Sequence, residues 1–348
     1  MTIALGTHVG VAALLAIGAV VDRAAGQDLR VGIIDFYGLR QVTAAQAREV
    51  LGLAEGDTLR PSSGGARPEL AEAERRLARL PGVVRARINA ICCDAGRVIL
   101  YVGVEEQGAP TLQFRAPPRG RVRLAPDVVQ AGEDFFQALM DAVRRGDAEE
   151  DDSSGHSLVH DRTARAIQER FIGYAARDLT LLRDVLRESA DAEHRALAAQ
   201  ILGYAADKRS VVEDLTSAMT DPSESVRNNA MRALAVIAGF AAKSPDRGIR
   251  IPFGPFVDLL SSPFWTDRNK ASFALEELST GRNAELLATL RARALPALVE
   301  MARWTSDGHV GAAFFLLGRI GGLAEDEIQS AWERRDREAI IAAASKAR

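Results

Sequence analysis

Cysteine is almost absent from this sequence: Cys92 and Cys93 stand side by side and are the only two. That count excludes a four-cysteine zinc cluster and a CxxC redox pair. Neighbouring side chains of a strand point to opposite faces, so no disulfide is expected here. Histidine is scarce at five, and aromatic residues make up only 5% of the chain. An excess of charge is missing as well. Forty-four Lys and Arg stand against 47 Asp and Glu, a net charge of −3. That balance lacks the broad electropositive surface that a phosphate backbone demands, so no nucleic-acid partner is expected. Neither a GxSxG nucleophile turn nor a phosphate-binding P-loop occurs. These absences point to a protein without catalytic, cofactor or metal residues. What is present is 47% hydrophobic and 26% charged residues over 348 positions, enough for globular cores in two or three domains of about 100–200 residues each.

The N-terminus carries the one long apolar run. Val9–Val21 is followed by Asp22, Arg23 and the small residues Ala24, Ala25 and Gly26, the layout of a secretory signal core and cleavage region. Residues 1–26 are therefore expected to be a signal peptide with cleavage before Gln27. No Lys or Arg precedes the run, and extended back to Ile3 it is uncharged apart from His8, which keeps an uncleaved anchor or a buried helix open. A signal peptide or an anchor places the rest of the chain outside the cytoplasm, periplasmic or secreted, with membrane contact only if the segment stays attached.

Leu29–Phe36 is rich in β-branched and apolar residues and predicts a strand. Thr43 with Gln46 three residues on is a capping box that opens a helix through Leu51. Glu69–Leu80 places Leu70, Ala73, Leu77 and Leu80 at helical spacing. Val83–Cys93 then alternates, with Val84, Ala86, Ile88, Ala90 and Cys92 on one face and Arg85, Arg87 and Asn89 on the other. After Asp94-Ala95-Gly96, a returning strand presents Val98, Leu100, Val102 and Val104 and leaves Tyr101 and Glu105 outside.

This β-α-α-β-β order over residues 29–106, with the Leu80-Pro81-Gly82-Val83 junction and Leu53-Ala54-Glu55-Gly56-Asp57 after the first helix, resembles the polypeptide-transport-associated (POTRA) domain. The resemblance implies an extracytoplasmic, non-enzymatic module that handles other polypeptides at its sheet edge. Val83–Cys93 would be that edge, with Arg85 and Arg87 either meeting a client or protecting the edge from unwanted pairing. The alternating strands of a following outer-membrane barrel are not found.

Residues 107–160 read as a connector. Its Pro110, Pro117, Pro118 and Pro126 alternate with Arg115, Arg119, Arg121 and Arg123, with room for one strand near Leu112–Arg115, and Asp134–Arg145 predicts a helix. Gly146–Gly155 is acidic and turn-rich, expected as a solvated linker. Its carboxylates lack EF-hand spacing, and His156 and His160 lack a third zinc ligand.

From residue 161 to 325 a helical pattern recurs. His194-Arg195-Ala196-Leu197, Val226-Arg227-Asn228-Asn229-Ala230, Asp267-Arg268 with Ala271 and Leu275, and His309-Val310 with Ala313 and Leu317 each follow a shorter apolar helix. The pattern, and Asp221-Pro222-Ser223-Glu224-Ser225-Val226-Arg227 in particular, resembles HEAT repeats. Together with the N-terminus it resembles bacterial secreted proteins that contain them. Small residues such as Ala198, Ala230 and Ala271 belong at the close contacts of stacked helix pairs, and Arg195 and Arg227 in a ladder between repeats. Residues 326–348 form a helical cap. Phe264-Trp265-Thr266-Asp267-Arg268-Asn269-Lys270 is the richest candidate for an exposed binding corner, with Trp265, Arg268 and Lys270 as partner-binding residues; the alternative is that Phe264 and Trp265 pack the third repeat's turn onto the second and Arg268 joins the ladder.

The fold expected is thus a small α+β module followed by an all-α solenoid. The function expected is a non-enzymatic, extracytoplasmic interaction scaffold for polypeptides, cell-envelope proteins among them, held at the sheet edge and the concave helical face. The alternatives are a HEAT-like lyase or DNA glycosylase and an anchored structural component of the envelope.

Overall fold

The computed structural model describes residues 28–61, 67–94 and 96–347; the expected signal or anchor segment lies outside them. The first module runs β1 (Leu29–Tyr37), α1 (Ala44–Leu51), β2 (Thr58–Leu59), α2 (Pro68–Leu77), β3 (Val83–Asp94) and β4 (Arg97–Glu106). Its sheet has the order β2-β1-β4-β3, with β1 parallel and β3 antiparallel to β4. The capping box forms: Thr43 Oγ1 accepts from the Gln46 N–H at 3.2 Å and Gln46 Oε1 from the Thr43 N–H at 2.9 Å. Ala86, Ile88 and Ala90 of β3 join Val98, Leu100, Val102 and Val104 of β4 to close over Ala47, Leu51, Ala73 and Leu77 of the two helices.

The opposite face of the sheet does not meet water. Tyr101, expected outside, is fully buried, and with Tyr37, Ile91 and Ile99 it belongs to the core of the helical array. Helices cover β4 on one side and the array on the other, so burial along it is nearly continuous where alternation was expected. The expectation of no disulfide is also corrected, because Cys92 is disulfide-bonded. The ladder is irregular between Ile91 and Asp94, so the strict alternation behind that expectation fails at this point.

Leu112–Arg115 is not a strand. The connector instead lies along the repeat turns, with the Arg115 N–H on Thr220 O at 2.8 Å and a single bridge from Gly120 to Ser189. Helix α3 (Pro126–Arg145) begins earlier than Asp134. The acidic segment is not a solvated linker: β5 (Glu150–Asp151) pairs with β6 (Leu158–Val159), and Glu150 forms a buried ion pair with Arg232.

The array then runs α4 (Arg162–Arg177), α5 (Leu179–Glu188), α6 (Ala192–Leu202), α7 (Val212–Ala218), α8 (Glu224–Lys243), α9 (Gly254–Leu259), α10 (Trp265–Leu278), α11 (Ala284–Arg293), α12 (Leu295–Ala302) and α13 (Asp307–Ile320), capped by α14 (Glu325–Glu333) and α15 (Arg337–Lys346). Helices α6, α8, α10 and α13 pack in succession as an inner layer, with Ala198, Ala230 and Ala271 fully buried at their contacts. Three arginines make the same bond six residues back, Arg195 to Ser189 O, Arg227 to Asp221 O and Arg268 to Ser262 O. Arg195 also grips Asp221, and Arg227 grips Asp267, each through two bonds of 2.9 Å to the next repeat's turn. Arg268 leaves the ladder and pairs with Glu300 at 3.0 Å.

Candidate functional site

The sheet docks on the later inner helices through aromatic rings. Tyr101 stacks on Trp265 with centroids 5.2 Å apart, lies 4.9 Å from Trp304, and shares a 2.7 Å hydrogen bond with His309 Nδ1. The Tyr37 hydroxyl donates to Pro263 O at 2.8 Å, and the Arg268 guanidinium sits 4.5 Å from the Tyr37 ring centroid. Gly103 permits this approach, since a Cβ there would lie 2.1 Å from Pro263 O. Polar bonds fix the register. Asn89 accepts from the Trp265 N–H at 3.1 Å and donates to Glu224 at 2.9 Å. The Gly38 N–H donates to the Glu300 carboxylate at 3.2 Å, and Asp35 accepts from Thr305 N at 2.8 Å and Oγ1 at 2.7 Å. Burial raises the proton affinity of the Tyr37 and Tyr101 hydroxyls, keeping both neutral. Burial, reinforced by the charge of Lys270, lowers His309 to about 4.

This arrangement corrects the exposed corner expected around Trp265. Trp265 and Lys270 are 0% exposed and Arg268 is 3%: the sheet covers Trp265 and Arg268, and Lys270 is buried within reach of the charges of Arg232 and Glu150 and beside His309. The chemistry that suggested a hot spot serves an interface within the chain. Arg85 and Arg87 do lie exposed on β3, at the sheet edge. Arg85 pairs with Glu105 at 3.6 Å; Arg87 pairs with Glu74 at 3.5 Å and lies 5.7 Å from the Phe264 ring centroid. One donor on the strand, the Ile88 N–H, is already taken by Glu74 at 2.8 Å.

Beside the docked sheet, the earlier inner helices remain open and line a groove of about 930 Å³. Its floor is α6 and α8, through Leu197, Gln200, Asn228, Asn229, Ala233 and Val236. One wall is α3, with Phe136 and Leu139, and the other is β3 and α2, with Ile88, Asn89 and Glu74. His156 lines the groove with its Nδ1 3.2 Å from Lys208 Nζ, whereas His160 faces Glu149 at 3.4 Å. Neither module encloses this space alone. Asn89, Tyr101, Glu224 and His309 were not singled out by the sequence reading. The available signal was β4 itself, whose Val98–Val104 run is apolar at nearly every position, as a strand covered on both faces requires.

The arrangement defines a class, a small four-stranded sheet module docked on a helical-repeat solenoid. Comparison with known proteins agrees on the repeats. A family profile described as HEAT repeats matches residues 179–246, the stretch from α5 through α8. Among curated proteins none matches. Among solved structures, the chain is similar to a designed armadillo repeat protein in complex with the peptide (KR)4, at 19% identity, covering 64% of this chain and 98% of that one, with a TM-score of 0.36. A second designed armadillo repeat protein is 20% identical, with 62% and 99% covered and a TM-score of 0.36. A third, described as computationally designed for modular peptide recognition, is 20% identical, with 64% and 97% covered and a TM-score of 0.35.

Proposed function

We propose that this protein is a non-enzymatic interaction scaffold that holds an extended stretch of another polypeptide in the groove between its sheet module and its first inner helices. The observation that carries the reading is the composite groove, with a strand edge on one wall and apolar and amide side chains along the floor. An extended chain suits such a site. Its alternating side chains can enter apolar pockets while its N–H and C=O groups meet Gln200, Asn228 and Asn89. The POTRA-like element order over residues 29–106 supports the same reading, and the apolar run Val9–Val21 with its small-residue boundary supports an extracytoplasmic setting; cell-envelope polypeptides are the proposed partners.

A photocrosslinking residue at Ala233, on the groove floor, tests this in the intact cell against a control at exposed Arg334 on the cap. The expected result is a defined set of polypeptides attached at Ala233 and not at Arg334. Equal, unselective labelling at both positions contradicts the scaffold reading. N-terminal sequencing checks the compartment, with Gln27 expected first and an intact Met1 in the cytosolic fraction counting against it.

A further inference from the structure

Resting on that groove as the binding site, we infer that its occupant is an extended cationic–aliphatic peptide segment, whose basic side chains pair with Glu224 and Glu133 while its aliphatic side chains pack on Phe136, Leu139 and Val236. The groove's own cations are already committed. Arg87 pairs with Glu74, Arg232 forms its buried pair with Glu150, and Arg67 Nη1 donates to Leu59 O at 2.8 Å. The carboxylates are not balanced in the same way. Glu224 accepts from the Asn89 amide at 2.9 Å and the Thr266 hydroxyl at 2.5 Å, both neutral donors, and among the described residues neither it nor Glu133 makes an ion pair. Burial, with the Asp267 charge added, raises the proton affinity of Glu224 above the ordinary carboxylate value even though Arg87 and Arg227 offset part of the rise from a distance. A Lys or Arg side chain entering the groove can pair directly with Glu224 and Glu133, which selects a basic partner over an acidic one.

The floor also lacks a donor that a peptide backbone provides. Asn229 Nδ2 donates to Ala196 O at 2.9 Å and Asn228 Nδ2 to Asn229 Oδ1 at 3.0 Å. Asn228 Oδ1 ends that chain, buried and without a hydrogen-bond partner, and a buried acceptor left unmade is costly. Reaching it would take a turn of the Asn228 side chain toward the groove, so the charge of Glu224 and Glu133 carries the inference.

The test uses the full chain and a fluorescein-labelled peptide of about ten residues alternating Lys and Leu, long enough to run along the groove at ~3.3 Å per residue. Otherwise identical peptides carry Glu or Ser in place of Lys. Fluorescence anisotropy at about 0.1 M salt should show the Lys peptide binding at least about tenfold more tightly than the Ser peptide, and the Glu peptide weakest. Glu224→Gln keeps an acceptor for Asn89 and Thr266 and should erase most of that preference while leaving Ser-peptide binding unchanged. Glu133→Gln, on the exposed wall where folding is not at stake, should reduce the preference by a smaller factor. Equal affinity for the Lys and Ser peptides, abolished by Ala233→Trp, overturns the charge inference and leaves the scaffold reading standing. Failure of all three peptides to bind, or binding that Ala233→Trp does not weaken, overturns both.

Discussion

Along α6 and α8 the inner helical face is open and forms the floor of a groove; along α10 and α13 the equivalent face is covered by the chain's own sheet. The turn chemistry is the same in both halves, since Arg195, Arg227 and Arg268 each bond the carbonyl six residues back. What differs is the residue beside it. The open half carries Leu197, Asn228 and Asn229, only half-buried, whereas the covered half carries Trp265, fully buried against Tyr101. A repeat motif therefore fixes how helices stack, and the side chains between its anchor positions decide what each stretch of surface meets.

Substitutions should separate the two halves. Trp265→Ala empties the centre of the docking interface and should cost about 3–5 kcal/mol, read as a large fall in melting temperature with loss of amide protection in β3. A fall no larger than that of Leu197→Ala would break the distinction. Arg227→Ala leaves Asp267 buried without its partner and should cost a comparable ~3–5 kcal/mol, measured by denaturant unfolding. A loss within the ~0.2–1 kcal/mol of a surface pair would contradict the ladder's burial.

A pH effect of intermediate size is expected in the covered half, to which His156 in the groove, also held at about 4 by burial, adds its own share. His309 is held at about 4 in the fold, and its facing groups are Tyr101, Trp265 and Lys270, whereas an unfolded histidine titrates near ~6.5. The unfolded chain therefore takes the proton first, so this stability is complete above about pH 7 and is lost as pH falls from ~6.5 towards ~4. Across that window the wild-type melting temperature should fall more steeply than that of His309→Gln; parallel curves would refute it. The smallest effect is expected at Leu197→Ala, about 1 kcal/mol, because that side chain is only partly buried in the open half.

Much of this was legible in the sequence. The capping box at Thr43 and the alternation of Ala86, Ile88 and Ala90 follow from local patterns, and local patterns formed them, whereas the edge position of Val83–Cys93 was implied by the resemblance of the element order. The repeat period and the Arg195 and Arg227 ladder were readable because each repeat makes the same contact with its neighbour. The docking was not, because Tyr101 and Trp265 meet across the whole length between the modules and no local period records such a pairing. The same ignorance turned Trp265, Arg268 and Lys270 into surface candidates and Glu150 into a solvated linker residue. For the groove, Asn89 and Glu224 each look like ordinary polar positions until the other module is placed beside them.

The central claim is that the sheet is seated on the later repeats, leaving the earlier ones open. Asp35 and Thr305 touch across that contact, with the Thr305 hydroxyl 2.7 Å from the Asp35 carboxylate, so the paired substitutions Asp35→Cys and Thr305→Cys place two thiols within reach of one another. Mild oxidation of the full chain should join them rapidly, with the linked peptides identified by mass spectrometry, and Arg85→Cys paired with Thr305→Cys should stay unlinked. Failure of the first pair to join, with both thiols shown to be reactive and the protein folded, would contradict the docked arrangement and the composite groove with it.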